Sequence, residues 1–173
     1  MIDTAQMIFE KPQSGEFDEV HFGFDRGNTL WIQFSDSESA TVWIGKFGCG
    51  ESQAMRVTPA GRPGWYLVVA GGFAYVLDAT HRKLITHYLS PWIQAVAFDP
   101  QTNDFIAADT DLRIIHDGKE VWRSHRVSID WIHSLRIEGR LLHGMAIVGY
   151  QDEEAPFIFD LNVREFIQRP RAP

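Results

Sequence analysis

The chain of 173 residues contains a single cysteine, no basic excess and no hydrophobic run long enough to cross a membrane. With Cys49 alone, no intrachain disulfide can form. The longest nearly unbroken apolar run, Leu67 to Leu77, contains two glycines and is far shorter than the roughly 20 residues that a membrane-spanning helix needs. The N-terminus lacks a basic segment followed by an apolar one, which a signal peptide would have. These features predict a cytoplasmic protein without a membrane partner.

The charge balance is acidic, with 16 Lys and Arg against 23 Asp and Glu, and a net charge of −7 with His neutral. A basic stripe is the electrostatic footprint of a nucleic-acid-binding protein, and none is visible, so the sequence predicts no nucleic-acid partner. Two interpretations of the acidity stay open. It is either an ordinary solvated surface or an acidic face for a basic protein partner.

Sequence motifs for metal, phosphate and nucleophile chemistry are missing as well. There is no HExxH, no paired-cysteine spacing, no EF-hand loop, no GxSxG and no phosphate loop. His125, His133 and His143 fall close together, but His at strand ends is ordinarily a surface or hydrogen-bonded residue. Asp109 and Asp111 carry ligand oxygens, yet Asp is also a common turn residue. The sequence therefore predicts no metal and no cofactor.

The chain instead contains many short apolar runs separated by turn signals, and 13% of its residues are aromatic. Such residues suit pleated, half-buried surfaces, so the pattern predicts an all-β protein of antiparallel hairpins in one domain, residues 1–173. Val20–Phe24 and Thr29–Phe34 are predicted to form a hairpin, as are Trp65–Ala70 and Phe73–Asp78 around two glycines. Asp117-Gly118 is predicted to form a type I′ turn. Arg140–His143 and Met145–Tyr150 are predicted to be separate strands, followed by an acidic loop over Gln151–Pro156. The Pro- and Gly-rich segment 58–64 is a possible sub-boundary.

Three segments repeat one pattern of apolar strand, polar turn and second strand, beginning near Tyr75, Arg113 and Phe157. Val76, Ile114 and Ile158 take equivalent places, at offsets of 38 and 44 residues. A period near forty with several strands per unit is typical of propeller blades. A β-sandwich with coincidental spacing is the alternative.

The segment Ala95–Trp122 resembles a blade of the WD-repeat or PQQ-repeat type, in its Asp-Pro turn, its strand ending in small residues and its Asp-Gly hairpin. The resemblance extends over Trp65–Gln168, and residues 20–57 could supply a weaker fourth unit. It implies a propeller-like fold, small or open. Within residues 125–167, a second pattern comprises Asp130, Gly139, Gly144, Pro156-Phe157 and Asp160-Leu161. It resembles a family of small bacterial proteins of unassigned role. Many small acidic bacterial proteins of this general kind act as immunity partners of toxins.

The candidate binding residues are aromatic side chains beside loops and the acids around them. Trp at a loop mouth can anchor a partner, and Asp130 and His133 accompany one such residue. The set comprises Trp92, Asp109, Asp111, Asp130, Trp131, His133, Asp152, Glu153 and Glu154.

We interpret the chain as a non-enzymatic protein-binding module that acts through an acidic surface, with toxin neutralisation as its specific form. The alternative is a small hydrolase or ligand-binding enzyme that uses His and carboxylate residues in a β cleft. A convergent cluster of such residues would favour the enzyme.

Overall fold

A computed structural model of the protein describes residues 1–13, 15–24, 27–90 and 93–170. Across these residues the chain forms sixteen strands in four four-stranded sheets, without a helix. The chain divides into two compact units, Met1–Trp92 and Ile93–Pro173, and each unit contains two of the sheets. Within the described ranges, no helix is present that is long and apolar enough to cross a membrane.

The first sheet contains β1 (Thr4–Ile8), β2 (Asp18–Phe22), β3 (Thr29–Ser35) and β4 (Val42–Gly48) in the order β1-β3-β4-β2. The predicted hairpin of Val20–Phe24 with Thr29–Phe34 is wrong, because β2 pairs in parallel with β4 and does not pair with β3. The reason is that β1 occupies the other edge of β3 in antiparallel register. This sheet is therefore mixed, whereas antiparallel pairing was predicted throughout.

The second sheet follows chain order, with β5 (Met55–Pro59), β6 (Trp65–Ala70), β7 (Phe73–Asp78) and β8 (Lys83–Tyr88). The hairpin predicted around Gly71 and Gly72 is confirmed, and both glycines have positive φ, 58° and 91°. Segment 58–64 contains the end of β5 and the connection to β6. It lies inside the first unit, between two paired strands.

The two sheets of the first unit pack around an aromatic core. Phe34 and Trp43 stack with their ring centroids 4.5 Å apart, and Phe47 lies 5.4 Å from Tyr75 of the second sheet. The Tyr75 hydroxyl donates to the Gly48 carbonyl oxygen at 2.8 Å, and burial raises the pKa of Tyr75 to about 12. Tyr75 is therefore a neutral hydrogen-bond donor within the core.

The third sheet contains β9 (Ala95–Asp99), β10 (Asp104–Ala108), β11 (Leu112–His116) and β12 (Lys119–Arg123). The predicted type I′ turn between β11 and β12 is confirmed in its backbone, because Asp117 and Gly118 both have positive φ, 48° and 73°.

The fourth sheet contains β13 (Ile132–Glu138), β14 (Leu141–Ile147), β15 (Glu154–Asp160) and β16 (Glu165–Gln168). Two predictions are corrected here. The segments Arg140–His143 and Met145–Tyr150 were expected to be separate strands, but one continuous strand, β14, covers most of the first and half of the second. Glu154 was placed in an acidic loop, but it begins β15, where it pairs with Ile147.

The core of the second unit joins its two sheets through aromatic rings. Trp122 of β12 lies 5.0 Å from Phe159 of β15, and Phe166 lies 5.9 Å from Phe157 between ring centroids. Gly144, on β14, pairs with Phe157. A Cβ atom at Gly144 would overlap the Phe157 ring, so glycine allows the ring to lie across the strand.

The internal repeat is visible in the strand order. Val76, Ile114 and Ile158 lie on β7, β11 and β15, the third strand of three successive sheets. In all three sheets, the pairing with the fourth strand shifts register immediately after this residue. The predicted fourth unit, residues 20–57, has other bounds, since β5 belongs to the second sheet.

Candidate binding surface

Three loops of the second unit lie at one edge of its sheets. Because the strands alternate in direction, the connections after β10, β12 and β14 (residues 109–111, 124–131 and 148–153) are at the same edge. Backbone hydrogen bonds join them. The Ile132 N–H donates to the Asp109 carbonyl at 2.8 Å, and the Ile129 N–H donates to the Ile147 carbonyl at 2.9 Å. We call residues 109–111, 124–134 and 148–154 the loop edge.

Three large apolar side chains are exposed on the loop edge. Their exposed fractions are 43% for Ile129, 40% for Trp131 and 104% for Tyr150. Ile129 and Trp131 follow one another in the β12–β13 loop, and Tyr150 lies in the β14–β15 loop. Exposed aromatic residues of this kind are typical anchors of protein interfaces.

Carboxylates accompany these apolar side chains in the same loops. Asp130, Asp152, Glu153 and Glu154 are exposed, and Asp109 is half-buried. The Val148 N–H donates to the Glu153 carbonyl at 2.8 Å, which closes the β14–β15 loop. The loop edge thus combines apolar anchors with a surrounding negative charge.

Ser128 holds the β12–β13 loop in place. It is 2% exposed. Its Oγ accepts the Ile147 N–H at 3.0 Å and lies within donating distance of the Trp131 and Ile147 carbonyls, at 2.8 and 2.9 Å. Arg126 reinforces the same loop by donating from Nε to the Ser128 carbonyl at 2.7 Å. Trp131 is therefore presented by a well-braced loop.

Asp111 is separate in character from the other predicted acids, because it is 5% exposed. Its carboxylate accepts hydrogen bonds from Arg113 Nε at 2.8 Å and Arg123 Nε at 2.7 Å. Glu120 lies 3.9 Å from Arg113 Nε. This carboxylate is neutralised inside the unit, so Asp111 supports the loop and does not offer its charge to a partner.

His133, Ser134 and Glu154 form a small polar cluster beside the anchors. His133 Nδ1 is 2.9 Å from Ser134 Oγ. His133 Nε2 is 3.2 Å from Glu154 Oε1, but the two atoms are not aligned for a hydrogen bond. Ser134 has a φ of 56° and lies where the register of β13 against β14 shifts. A non-glycine residue with a positive φ of this size stores backbone strain, and such strain is common at functional sites.

Neither Cys49 nor a cluster of metal ligands in the described part of the chain provides a second candidate site. Burial raises the pKa of the Cys49 thiol, which opposes thiolate formation and hence nucleophilic reactivity. Among the described residues, no three His, Cys, Asp or Glu side chains come together as metal ligands.

The structure brings most of the predicted site residues to the loop edge. These are Asp109, Asp111, Asp130, Trp131, His133, Asp152, Glu153 and Glu154. Trp92 lies outside the described residues. Sequence reasoning missed Ile129 and Tyr150, and had placed Tyr150 at the end of a strand. The turn residues Gly149 and Asp152 on either side of Tyr150 were the available signal.

The arrangement defines an all-β protein of the propeller type, with repeated four-stranded sheets and loops collected at one edge. No protein-family model matches the chain, and no curated protein matches it in sequence.

Solved structures of propeller type do match. BamB from Moraxella catarrhalis has a TM-score of 0.54 and 15% identity over 88% of this chain and 49% of that one. The Neurospora crassa Pan2 WD40 domain has a TM-score of 0.54 and 11% identity over 87% and 51%. Kuenenia stuttgartiensis hydrazine synthase has a TM-score of 0.54 and 13% identity over 94% and 51%. The chain spans about half the length of these structures, and the similarity defines its fold.

Proposed function

We propose that this chain is a non-enzymatic protein-binding module whose loop edge holds a partner with a basic surface. The observation that carries the proposal is the exposure of Ile129, Trp131 and Tyr150 among the acids of the same edge. In protein interfaces, a few aromatic anchors supply most of the binding energy, and a polar rim around them excludes water. The loop edge has both parts.

The surrounding acids give the partner its expected charge. Asp130, Asp152, Glu153 and Glu154 are exposed, and the whole chain carries a net charge of −7. Complementary charge raises association rates and selects among partners more than it raises affinity. A basic protein is therefore the favoured partner, and its association should slow as salt increases.

The specific form we propose is neutralisation of a basic toxin in the cytoplasm. Its support is the loose resemblance of residues 125–167 to small bacterial proteins of unassigned role, since many small acidic bacterial proteins of this general kind act as immunity partners of toxins. A propeller-type scaffold suits this role because its loops can vary while its strands stay fixed.

The test uses the full chain and a basic partner identified by pull-down, with affinity measured at two salt concentrations. Trp131→Ala and Tyr150→Ala are each expected to weaken binding by about thirtyfold or more, the effect of a hot-spot residue. Reversing Asp152, Glu153 and Glu154 to lysine should chiefly lower the association rate and its salt dependence.

Phe9→Ala is the matched control, because Phe9 is 87% exposed and lies in the first unit. It should leave the affinity unchanged. Binding that survives both anchor substitutions, or that Phe9→Ala weakens equally, would show that the loop edge is not the interface.

A small hydrolase is the second candidate, favoured by the contact between His133 Nδ1 and Ser134 Oγ and by the positive φ of Ser134. A histidine within hydrogen-bonding distance can serve as the base for a serine nucleophile. If so, the chain should hydrolyse p-nitrophenyl acetate, and Ser134→Gly, which suits the positive φ, should reduce the rate at least a hundredfold. A rate that Ser134→Gly leaves unchanged excludes this serine as nucleophile.

A further inference from the structure

A groove of about 520 Å³ opens in the second unit, and residues 124–127 of the loop edge form part of its lining. One wall is the end of β12 and the loop after it, and the other is β16 with the residues on both sides of it. Its lining residues are Trp122, Arg123, Ser124, His125, Arg126, Val127, Arg164, Glu165, Phe166, Arg169 and Pro170. The volume is in the range of small-molecule sites, about 300–1,000 Å³.

The groove is basic on a chain that is acidic. Four arginines and His125 line it, against one acid, Glu165. The arginines come from separate parts of the chain: Arg123 from the end of β12, Arg126 from the following loop, and Arg164 and Arg169 from either side of β16. Converging cations of this kind create a local positive potential whatever the net charge of the protein.

Two of the arginines are held in position by hydrogen bonds that leave some of their guanidinium N–H groups available to a ligand. Arg123 donates from Nε to the buried Asp111 carboxylate at 2.7 Å and from Nη2 to the same carboxylate. Arg126 donates from Nε to the Ser128 carbonyl at 2.7 Å and from Nη2 to the Ile129 carbonyl. A guanidinium has more N–H groups than these contacts use, so both side chains can bind a ligand without first being ordered. Pre-organisation of this kind reduces the entropic cost of binding.

Aromatic rings accompany the cations. Trp122 is half-buried and packs 5.0 Å from Phe159, and the Arg169 guanidinium lies 5.6 Å from the Phe166 ring centroid. A ligand in this groove therefore meets both guanidinium groups and ring surfaces.

We propose that the groove binds an organic phosphate, with the phosphate toward the arginines and the organic group toward Trp122 and Phe166. A phosphate monoester carries about −1.5 to −2 charge at pH 7 and three strong acceptor oxygens, so it can satisfy several guanidinium groups together. A carboxylate has one charge and fits a single arginine fork. The groove is also larger than a phosphate group alone requires.

The test is calorimetric titration of the full chain at low ionic strength with phenyl phosphate, inorganic phosphate and benzoate as probes. Phenyl phosphate is expected to bind saturably, with one site and at least tenfold higher affinity than either other probe. Arg169→Gln and Arg164→Asn should each weaken it about tenfold, because each removes a charge-assisted hydrogen bond. Asparagine is used at position 164 because Arg164 has a φ of 59°, which asparagine tolerates.

Arg56→Gln is the control, since Arg56 is exposed on β5 of the first unit. It removes the same charge and should leave affinity within about twofold. If Arg56→Gln lost as much affinity for phenyl phosphate as the groove variants, the attraction would be non-specific and the proposal would be overturned. If benzoate bound as tightly as phenyl phosphate, the groove would not recognise phosphate. If inorganic phosphate bound as tightly, the groove would make no contact with the organic group. Thermal unfolding of each variant confirms that its fold is intact before titration.

Discussion

Replacing Phe157 by alanine is expected to lower the free energy of unfolding by about 3–5 kcal/mol, the usual cost of deleting a buried phenylalanine. Phe157 is 1% exposed and packs over Gly144 and beside Phe166. The strands around it are fixed by hydrogen bonds on both sides of β15, so the cavity cannot collapse easily. Urea denaturation followed by tryptophan fluorescence measures the change.

Phe9→Ala makes the same chemical change at a position that is 87% exposed, and it should alter the free energy of unfolding by no more than about 0.5 kcal/mol. Comparing Phe157→Ala with Phe9→Ala therefore shows how much of the cost comes from lost core packing and how much from removing any phenyl group. A cost below about 1 kcal/mol for Phe157→Ala would mean that the described core does not stabilise the second unit.

Replacing Asp111 by alanine should lower the free energy of unfolding by about 2–4 kcal/mol at neutral pH. Removing one partner of a buried ion pair is strongly destabilising, and Glu120, 3.9 Å from Arg113 Nε, replaces the Asp111 charge only in part. Arg113 has a side chain that is 19% exposed, whereas that of Arg123 is 52% exposed, so water screens part of the loss at Arg123. The change is measured by the same urea denaturation.

Asp109→Ala is the control for Asp111, two residues away in the same turn. Its side chain is half-buried, and the turn uses its backbone carbonyl, which alanine keeps. A change within about 0.5 kcal/mol is expected. If the two substitutions had equal cost, charge alone would decide the stability of this turn, and the arginine contacts of Asp111 would have no special role.

The sequence was informative wherever structure depends on neighbouring residues. Gly71-Gly72 and Asp117-Gly118 have the backbone freedom that tight hairpins need, and both hairpins formed where predicted. β2 was misassigned because its pairing is not local. Its partner β4 lies beyond β3 in the chain, and no turn residue next to β2 indicates that pairing. The register shifts after Val76, Ile114 and Ile158 were not predicted either, because register also depends on packing between strands.

The binding residues were predicted in part for the same reason. Trp131 and Asp130 stand beside a loop in the sequence itself, so local reading found them. The groove arginines were not recognised, because Arg123 is distant along the chain from Arg164 and Arg169 and no basic stripe joins them. Their segments belong to different sheets, and only the packing of the third sheet against the fourth brings them together.

The register shift shared by β7, β11 and β15 gives three sheets a common reference point. The residues that mark it are 38 and then 44 positions apart. Part of the later increase is in one connection, because the β14–β15 loop covers 148–153 where the β10–β11 turn covers only 109–111. The extra residues are therefore at the loop edge, where a change in length alters the exposed surface and leaves the paired strands intact.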